Sequence, residues 1–164
     1  MMYITALQLK VARNILDLGV RDIAVLLHVS KTTISKVELN KTRDFLPKHN
    51  AALVHFFSCN NISFPNPFSI QYKPQNIINT NTESAITRFQ LKGARCILNI
   101  SQADLAKALN INRSVIIEAE KYQNEQRLTL FGQQKELEII QFFNDNNIVL
   151  YDHLSLFFRK RVDK

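Results

Sequence analysis

The sequence predicts a mainly α-helical fold in which a small unit of four to five helices occurs twice in tandem, each copy followed by a short β-hairpin. Three observations predict this fold. Residues 5–38 align without a gap on residues 87–120 at an offset of 82, and 13 of the 34 positions are identical. Both copies have the apolar spacing of amphipathic helices, and both end in alternating apolar residues. We therefore interpret the chain as an internal duplication.

The alignment also gives the domain boundaries. It resumes at an offset of 86, where Phe56-Phe57 aligns on Phe142-Phe143 and residues 68–73 align on residues 154–159. We predict a first repeat at 1–73, a linker at 74–85 that is rich in Asn and Thr, and a second repeat at 86–164 that ends in a basic tail.

The helices of the first repeat have recognisable start and stop signals. Thr5 is expected to cap a first helix, which ends at Gly19. A short second helix is expected over residues 21–27. Ser30 can cap a third helix through its hydroxyl, and a fourth helix carries the apolar residues of 53–57.

After the fourth helix the apolar period changes to two, which predicts a β-hairpin. Its turn is Pro65-Asn66-Pro67 in the first repeat and Tyr151-Asp152-His153 in the second. A lone hairpin on a small helical unit exposes an apolar face and two edges, so it needs a partner. That partner could be the other hairpin of the same chain, or the hairpins could form a homodimer seam, and the sequence leaves both arrangements open.

One segment in each repeat resembles a known DNA-binding motif. These segments are Arg21-Asp22-Ile23-Ala24-Val25-Leu26-Leu27-His28-Val29-Ser30-Lys31-Thr32-Thr33-Ile34-Ser35-Lys36-Val37-Glu38 and Ser101-Gln102-Ala103-Asp104-Leu105-Ala106-Lys107-Ala108-Leu109-Asn110-Ile111-Asn112-Arg113. They resemble the helix-turn-helix of the Cro/phage-repressor (XRE-type) family. The resemblance implies two lambda-repressor-like domains that bind double-stranded DNA, each with its third helix in the major groove.

The resemblance also implies which residues contact DNA. In the first repeat they are Arg21, Lys31, Thr32, Thr33, Lys36, Lys41 and Arg43, and in the second they are Gln102, Arg113 and Ser114. Arg21 is at the start of the second helix, where the family often has Gln, and is expected to contact phosphate. Thr33 and Lys31 are expected to face base edges or phosphate.

The two repeats differ in charge. Residues 1–82 contain nine basic and four acidic residues, net +5, whereas residues 83–164 contain twelve and ten, net +2. Ser35 and Lys36 are replaced by Ile117 and Glu118 in the second repeat, and a carboxylate there is repelled by phosphates. We therefore expect the first repeat to dominate DNA contact. As a built-in dimer, the chain would read an imperfect palindrome or a direct repeat.

The composition favours a binding protein over an enzyme. The net charge of +7 and the pI of about 9.6 favour a polyanionic partner. The three glycines form no phosphate loop, and the sequence has no nucleophile elbow and no convincing acid pair. No catalytic residue, cofactor or metal is expected, although His55 and Cys59 lie one helical turn apart, because a closed structural site needs four ligands.

Together with the resemblance to the Cro/phage-repressor family, these observations predict a protein that binds duplex DNA and represses or otherwise regulates transcription. We expect a cytoplasmic, nucleoid-associated protein, because the sequence shows neither a secretory signal nor a membrane span. The alternative from another class is a protein-interaction module, such as an antitoxin or an anti-repressor adaptor, in which the second helix-turn-helix is degenerate.

Overall fold

The computed structural model describes residues 3–41, 46–74, 86–152 and 154–159. This part of the chain is mainly helical and contains one small antiparallel sheet of four strands. The helices are α1 (Ala6–Ile15), α2 (Val20–Leu27), α3 (Lys31–Glu38), α4 (Pro47–Cys59), α5 (Arg88–Leu98), α6 (Gln102–Ala108), α7 (Arg113–Ala119) and α8 (Gln133–Asp145). The strands are β1 (Ile62–Ser63), β2 (Ser69–Tyr72), β3 (Ile148–Tyr151) and β4 (Ser155–Phe158). Four helices followed by two strands thus occur twice.

The first helix of each half begins with the same capping box. The Thr5 hydroxyl accepts a hydrogen bond from the Gln8 amide at 3.1 Å, and the Gln8 side chain accepts one from the Thr5 amide at 3.0 Å. Thr87 and Gln90 repeat both contacts in the second half. Two amides at each helix start are therefore satisfied, as expected for Thr with Gln three residues later. The prediction of Thr5 as a cap is confirmed.

The prediction that Gly19 ends the first helix places that end too late. Helix α1 ends at Ile15, Asp17 takes the left-handed conformation with φ 59°, and Gly19, at φ −79°, is the N-cap of α2. In the second half Asn99 takes the left-handed position with φ 56°, and Ser101 caps the next helix. Asp and Asn tolerate this conformation better than most residues, so the glycine is not needed there.

The two hairpins pair with each other within the chain, which answers the question that the sequence left open. The strand order is β1-β2-β4-β3, and β2 and β4 are antiparallel. Ile70 lies opposite Leu156, and these two residues are counterparts at the offset of 86. Pairing centred on a residue and its own counterpart is the pattern of a twofold axis. The two halves therefore meet through an approximate internal twofold axis.

A buried glutamine joins each first helix to its own hairpin. The Gln8 side-chain amide donates to the backbone oxygens of Asn66, at 2.8 Å, and Ser69, at 2.9 Å. Gln90 makes the equivalent contacts with the oxygens of Tyr151 and Ser155, both at 3.3 Å. These bonds satisfy carbonyl groups at the hairpin turns, so the hairpins keep a defined position against α1 and α5.

Helices α1 and α5 pack against each other and form the second part of the seam between the halves. Apolar residues from both halves belong to one continuous buried cluster. At its edge Asp17 forms ion pairs with Arg88 and Lys92. The counterpart of Asp17 is the uncharged residue Asn99, which accepts a hydrogen bond from Lys10 at 2.6 Å. The charges at this edge of the seam are thus asymmetric.

The Asp17 ion pairs should make the stability of the seam depend on pH. Burial raises the pKa of Asp17, but the hydrogen bond from Lys92 and the positive charges of Arg88 and Lys92 outweigh it, so the pKa is below its usual value. A carboxyl group with a lowered pKa stabilises the fold above its unfolded-state pKa and loses that contribution as the pH falls through its folded pKa.

We expect Asp17→Asn, which copies Asn99, to lower the free energy of unfolding by about 1 kcal/mol at neutral pH, since the Asp17 side chain is 64% exposed. The difference from the wild type should shrink below a pH of about 4. Urea unfolding of both proteins across a pH series measures this difference. A difference that stays constant with pH would show that the charge of Asp17 is not what stabilises the seam.

Candidate nucleic-acid interface

Helix α3 buries one side and exposes a polar side. Ile34 and Val37 are buried, and the small residue Ala24 is buried on α2, which packs against α3. Ser30 caps the helix by accepting from the Thr33 amide at 3.1 Å, as the sequence predicts. This arrangement leaves the opposite side of a short, capped helix facing outward, where it can contact a partner.

The polar side of α3 contains four of the residues that the sequence indicated. Lys31, Thr32, Thr33 and Lys36 are all exposed. Lys36 follows Thr32 and Thr33 by four and three residues, so the three side chains are neighbours on the helix surface. The Thr33 hydroxyl lies 2.9 Å from that of Ser30, so it already has a partner at the helix start.

The remaining predicted residues of the first half flank this helix. Arg21 is exposed in the first turn of α2, and Lys41 is exposed just after α3. Within the described ranges, Arg21, Lys31, Lys36 and Lys41 form no salt bridge with a carboxylate. Their charges are therefore not neutralised by a described acidic neighbour. Arg43 lies outside the described residues.

Helix α7 is the counterpart of α3, with a different exposed side. Asn112 caps it by accepting from the Ser114 amide at 3.4 Å, and Arg113 and Ser114 are exposed. Glu118 is also exposed and forms an ion pair with Lys121 at 3.0 Å. Lys121 offsets part of the repulsion that Glu118 would exert on a phosphate, while Arg113 keeps the cation that Lys31 provides in the first half.

Gln102 faces the interior of the second half. At the offset of 82 the counterpart of Gln102 is Val20. The position at which the family often has Gln is therefore that of Val20, and Arg21 lies one residue after it. The Gln102 side chain is half-buried, and its amide donates to Glu120 Oε2 at 3.0 Å. This donor is therefore engaged within the protein, and a contact of Gln102 with DNA would depend on its other amide hydrogen.

A buried ion pair attaches the end of each exposed helix to the rest of its half. Arg13 binds both carboxylate oxygens of Glu38, at 2.6 and 2.8 Å, and donates to the Leu18 oxygen at 3.0 Å. Only 12% of the Arg13 side chain and 7% of the Glu38 side chain are exposed. Because Glu38 is the last residue of α3, this bidentate pair fixes the position of α3 relative to α1.

The same pair occurs in the second half. Arg95 binds Glu120 at 2.5 and 2.9 Å and donates to the Ile100 oxygen at 2.9 Å. Burial alone would lower the pKa of Arg95, but the hydrogen bond and charge of Glu120 raise it, so the guanidinium group stays protonated. No role for these four residues was predicted from the sequence. The sequence signal that could have indicated a role is that Arg13 and Arg95, and likewise Glu38 and Glu120, are identical at the offset of 82.

Two other kinds of site find no support in the described part of the chain. None of its helices combines the length and the apolar character needed to cross a membrane. Among the same residues, no three His, Cys, Asp or Glu side chains form a group that could hold a metal ion. His55 Nε2 and Cys59 Sγ lie 3.7 Å apart as an isolated pair on α4.

The chain matches no protein-family model, no curated protein and no solved structure. Its function must therefore be inferred from the residues and their geometry.

Proposed function

We propose that the protein is a transcriptional regulator, a repressor, that binds double-stranded DNA through two helix-turn-helix motifs, α2 with α3 and α6 with α7. The observation that carries the proposal is the exposed side of α3, where Lys31, Thr32, Thr33 and Lys36 lie together on a helix held in place by the Arg13–Glu38 pair. Lysine and threonine on the first turns of such a helix can contact phosphates and base edges. Arg113 and Ser114 repeat this feature on α7.

The internal twofold axis supports a target made of two inverted half-sites. A protein dimer with twofold symmetry reads a palindrome, with its recognition helices separated by about one helical turn, roughly 34 Å. Here the pairing of Ile70 with Leu156 relates two halves of one chain by an approximate twofold axis. Of the two targets that the sequence allowed, an imperfect palindrome is thus favoured over a direct repeat.

The two half-sites should differ. Lys36 on α3 is replaced by Glu118 on α7, and the first half carries the larger net charge. Because phosphate contacts provide most of the affinity of such proteins, the half with more cations near its recognition helix should bind more strongly. The first half therefore dominates binding, and the second adds a weaker or differently specific contact.

Protein interaction is a second candidate function for the second half, as in an antitoxin or an anti-repressor adaptor. The observation that favours it is the changed side of α7, where Ile117 and Glu118 replace Ser35 and Lys36 of α3. Glu118 is exposed. A carboxylate at this position is repelled by phosphates, so this side of α7 is better suited to a protein partner than that of α3.

The first test of DNA binding is a fluorescence-anisotropy titration with the chain's own upstream DNA and with random duplex DNA, across a salt series. We expect tighter binding to the upstream DNA. Lys31→Ala/Lys36→Ala should weaken it about tenfold or more and should reduce the log-log salt slope by about two, because two phosphate or base contacts are lost.

The control Lys73→Ala/Arg159→Ala removes the same charge from two exposed residues that follow β2 and β4, outside both helix-turn-helix motifs. It should bind almost as the wild type does. If the two double variants lose affinity equally, binding reflects net charge alone. If neither DNA binds, the protein-interaction candidate takes the place of the proposed function.

A further inference from the structure

Arg88 connects the two halves at a point where the internal symmetry is broken. It is the first residue of α5, and only 4% of it is exposed. Its Nη1 donates to the Ile15 oxygen at 2.6 Å, and its Nη2 binds Asp17 Oδ2 at 2.6 Å. Its Nε donates to the Glu120 oxygen at 3.1 Å, and Nη1 also contacts the Asn124 side chain.

These partners belong to the elements that carry both proposed recognition helices. Ile15 ends α1, and Asp17 lies two residues before the cap of α2. Glu120 is the C-cap of α7. A single planar guanidinium group thus joins the α1–α2 junction of the first half to the end of α7 in the second, and the fixed geometry of its donors resists rotation between them.

The connection extends further into the second half. The carboxylate of Glu120, whose backbone oxygen accepts from Arg88, is bound by Arg95 of α5 and Gln102 of α6. On the other side of the seam the counterpart of Arg88 is Ala6, which has no side-chain donor. The contacts that Arg88 makes across the seam are therefore present on one side of the internal twofold axis and have no counterpart at Ala6 on the other.

We infer that Arg88 is a positioning residue that fixes the orientation of α7 relative to α3, so that the protein accepts a single spacing between half-sites. This inference rests on the proposed function for its DNA consequence. One extra base pair moves a half-site by about 3.4 Å and rotates it by about 35° around the duplex. A rigid seam cannot follow that change, whereas a loosened seam can.

A distance measurement tests the inference without DNA. Spin labels are placed on Thr32→Cys and Ser114→Cys, which are exposed counterparts on the first turns of α3 and α7. The background carries Cys59→Ser, because Cys59 is exposed. Cys96 is buried, and burial raises the pKa of its thiol, so it should remain unlabelled. Double electron–electron resonance then gives the distribution of distances between the helices.

We expect one narrow distance distribution in the otherwise unchanged protein and a broader or displaced one in Arg88→Met, which keeps the side-chain volume and loses all five donors. Lys107→Met also replaces a cationic side chain by methionine, but at an exposed position, and should leave the distribution unchanged. If Arg88→Met is not folded by circular dichroism, Arg88→Lys keeps the charge without the planar donors and should still broaden the distribution. An unchanged distribution in the folded variant overturns the inference.

The DNA consequence is tested with duplexes in which the spacing between half-sites changes by one or two base pairs. The wild type should lose at least tenfold in affinity for each displaced base pair, and the folded Arg88 variant should lose less than threefold. If the wild type binds all spacings equally, the inference fails and the proposed function stands. If it binds no DNA, the proposed function fails, and the distance measurement alone decides whether Arg88 fixes the seam.

Discussion

Replacing Gly93 by valine, the residue at its counterpart position 11, should destabilise the protein by about 3 kcal/mol, well beyond the effect expected for Asp17→Asn at the same seam. Gly93 is on the buried side of α5, and a Cβ atom there would clash with Leu156 Cδ1 and lie 3.2 Å from Ile15 Cδ1. Leu156 and Ile15 are fully buried, so they have little space to move. The melting temperature should fall by about 6–12 °C.

A double-mutant cycle with Leu156 separates the clash from other effects of valine. Leu156→Ala alone should cost about 3 kcal/mol, because it leaves a cavity at the centre of the sheet. Gly93→Val/Leu156→Ala should cost clearly less than the sum of the two single changes, since the added methyl groups occupy the space that leucine leaves. Gly132→Ser, where the Cβ meets open space, should be neutral or slightly stabilising. Additive costs in the cycle would show that Gly93 does not serve the approach of α5 to Leu156.

The elements that could be predicted from the sequence are those determined by local chemistry. Thr5 and Ser30 cap helices because their hydroxyl groups satisfy amides within the same turn. Each hairpin follows from apolar alternation on both sides of a turn. These signals lie within a few residues of one another, so they can be recognised without knowledge of the rest of the fold.

The contacts between the halves could not be predicted in this way. The edges of the hairpins require a partner, but the same requirement is met by pairing within a chain or between chains, and the paired residues are far apart in sequence. Arg88 and Gly93 stand opposite Ala6 and Val11 in the alignment, so they appear as ordinary divergence between repeats. Only the tertiary structure shows that both act at the seam.

The candidate interface was predicted in part. The pattern of exposed residues on α3 follows from helical periodicity, and Lys31, Thr32, Thr33 and Lys36 are all exposed. Gln102 is different, because an amide can face either a phosphate or an internal carboxylate, and Glu120 is 18 residues away. Helical periodicity does not decide between two polar partners. Only the tertiary structure shows that the Gln102 amide donates to Glu120 Oε2, at 3.0 Å.

Removing the carboxylate of Glu38 should destabilise the first half and weaken DNA binding, whereas the same change at Glu120 should mainly destabilise. In Glu38→Leu the buried Arg13 keeps its charge and loses its ionic partner, which typically costs about 3 kcal/mol. Glu120→Leu likewise removes the ionic partner of the buried Arg95. Urea unfolding should therefore show similar losses for the two variants, because the two pairs are equally buried.

DNA affinity should distinguish the two variants, because only Glu38 fixes the end of the helix that carries Lys31 and Lys36. We expect Glu38→Leu to weaken binding at least tenfold and Glu120→Leu to weaken it only a few-fold, at a temperature where both are folded. Arg13→Met/Glu38→Leu replaces the ion pair by apolar side chains and should recover most of the lost stability, since a buried pair can be exchanged for a packed apolar contact. If that double variant is stable and still binds poorly, the bidentate pair orients α3 for DNA in addition to stabilising it. If Glu120→Leu weakens binding as much as Glu38→Leu does, the two halves contribute equally, and the assignment of the dominant contact to the first half is wrong.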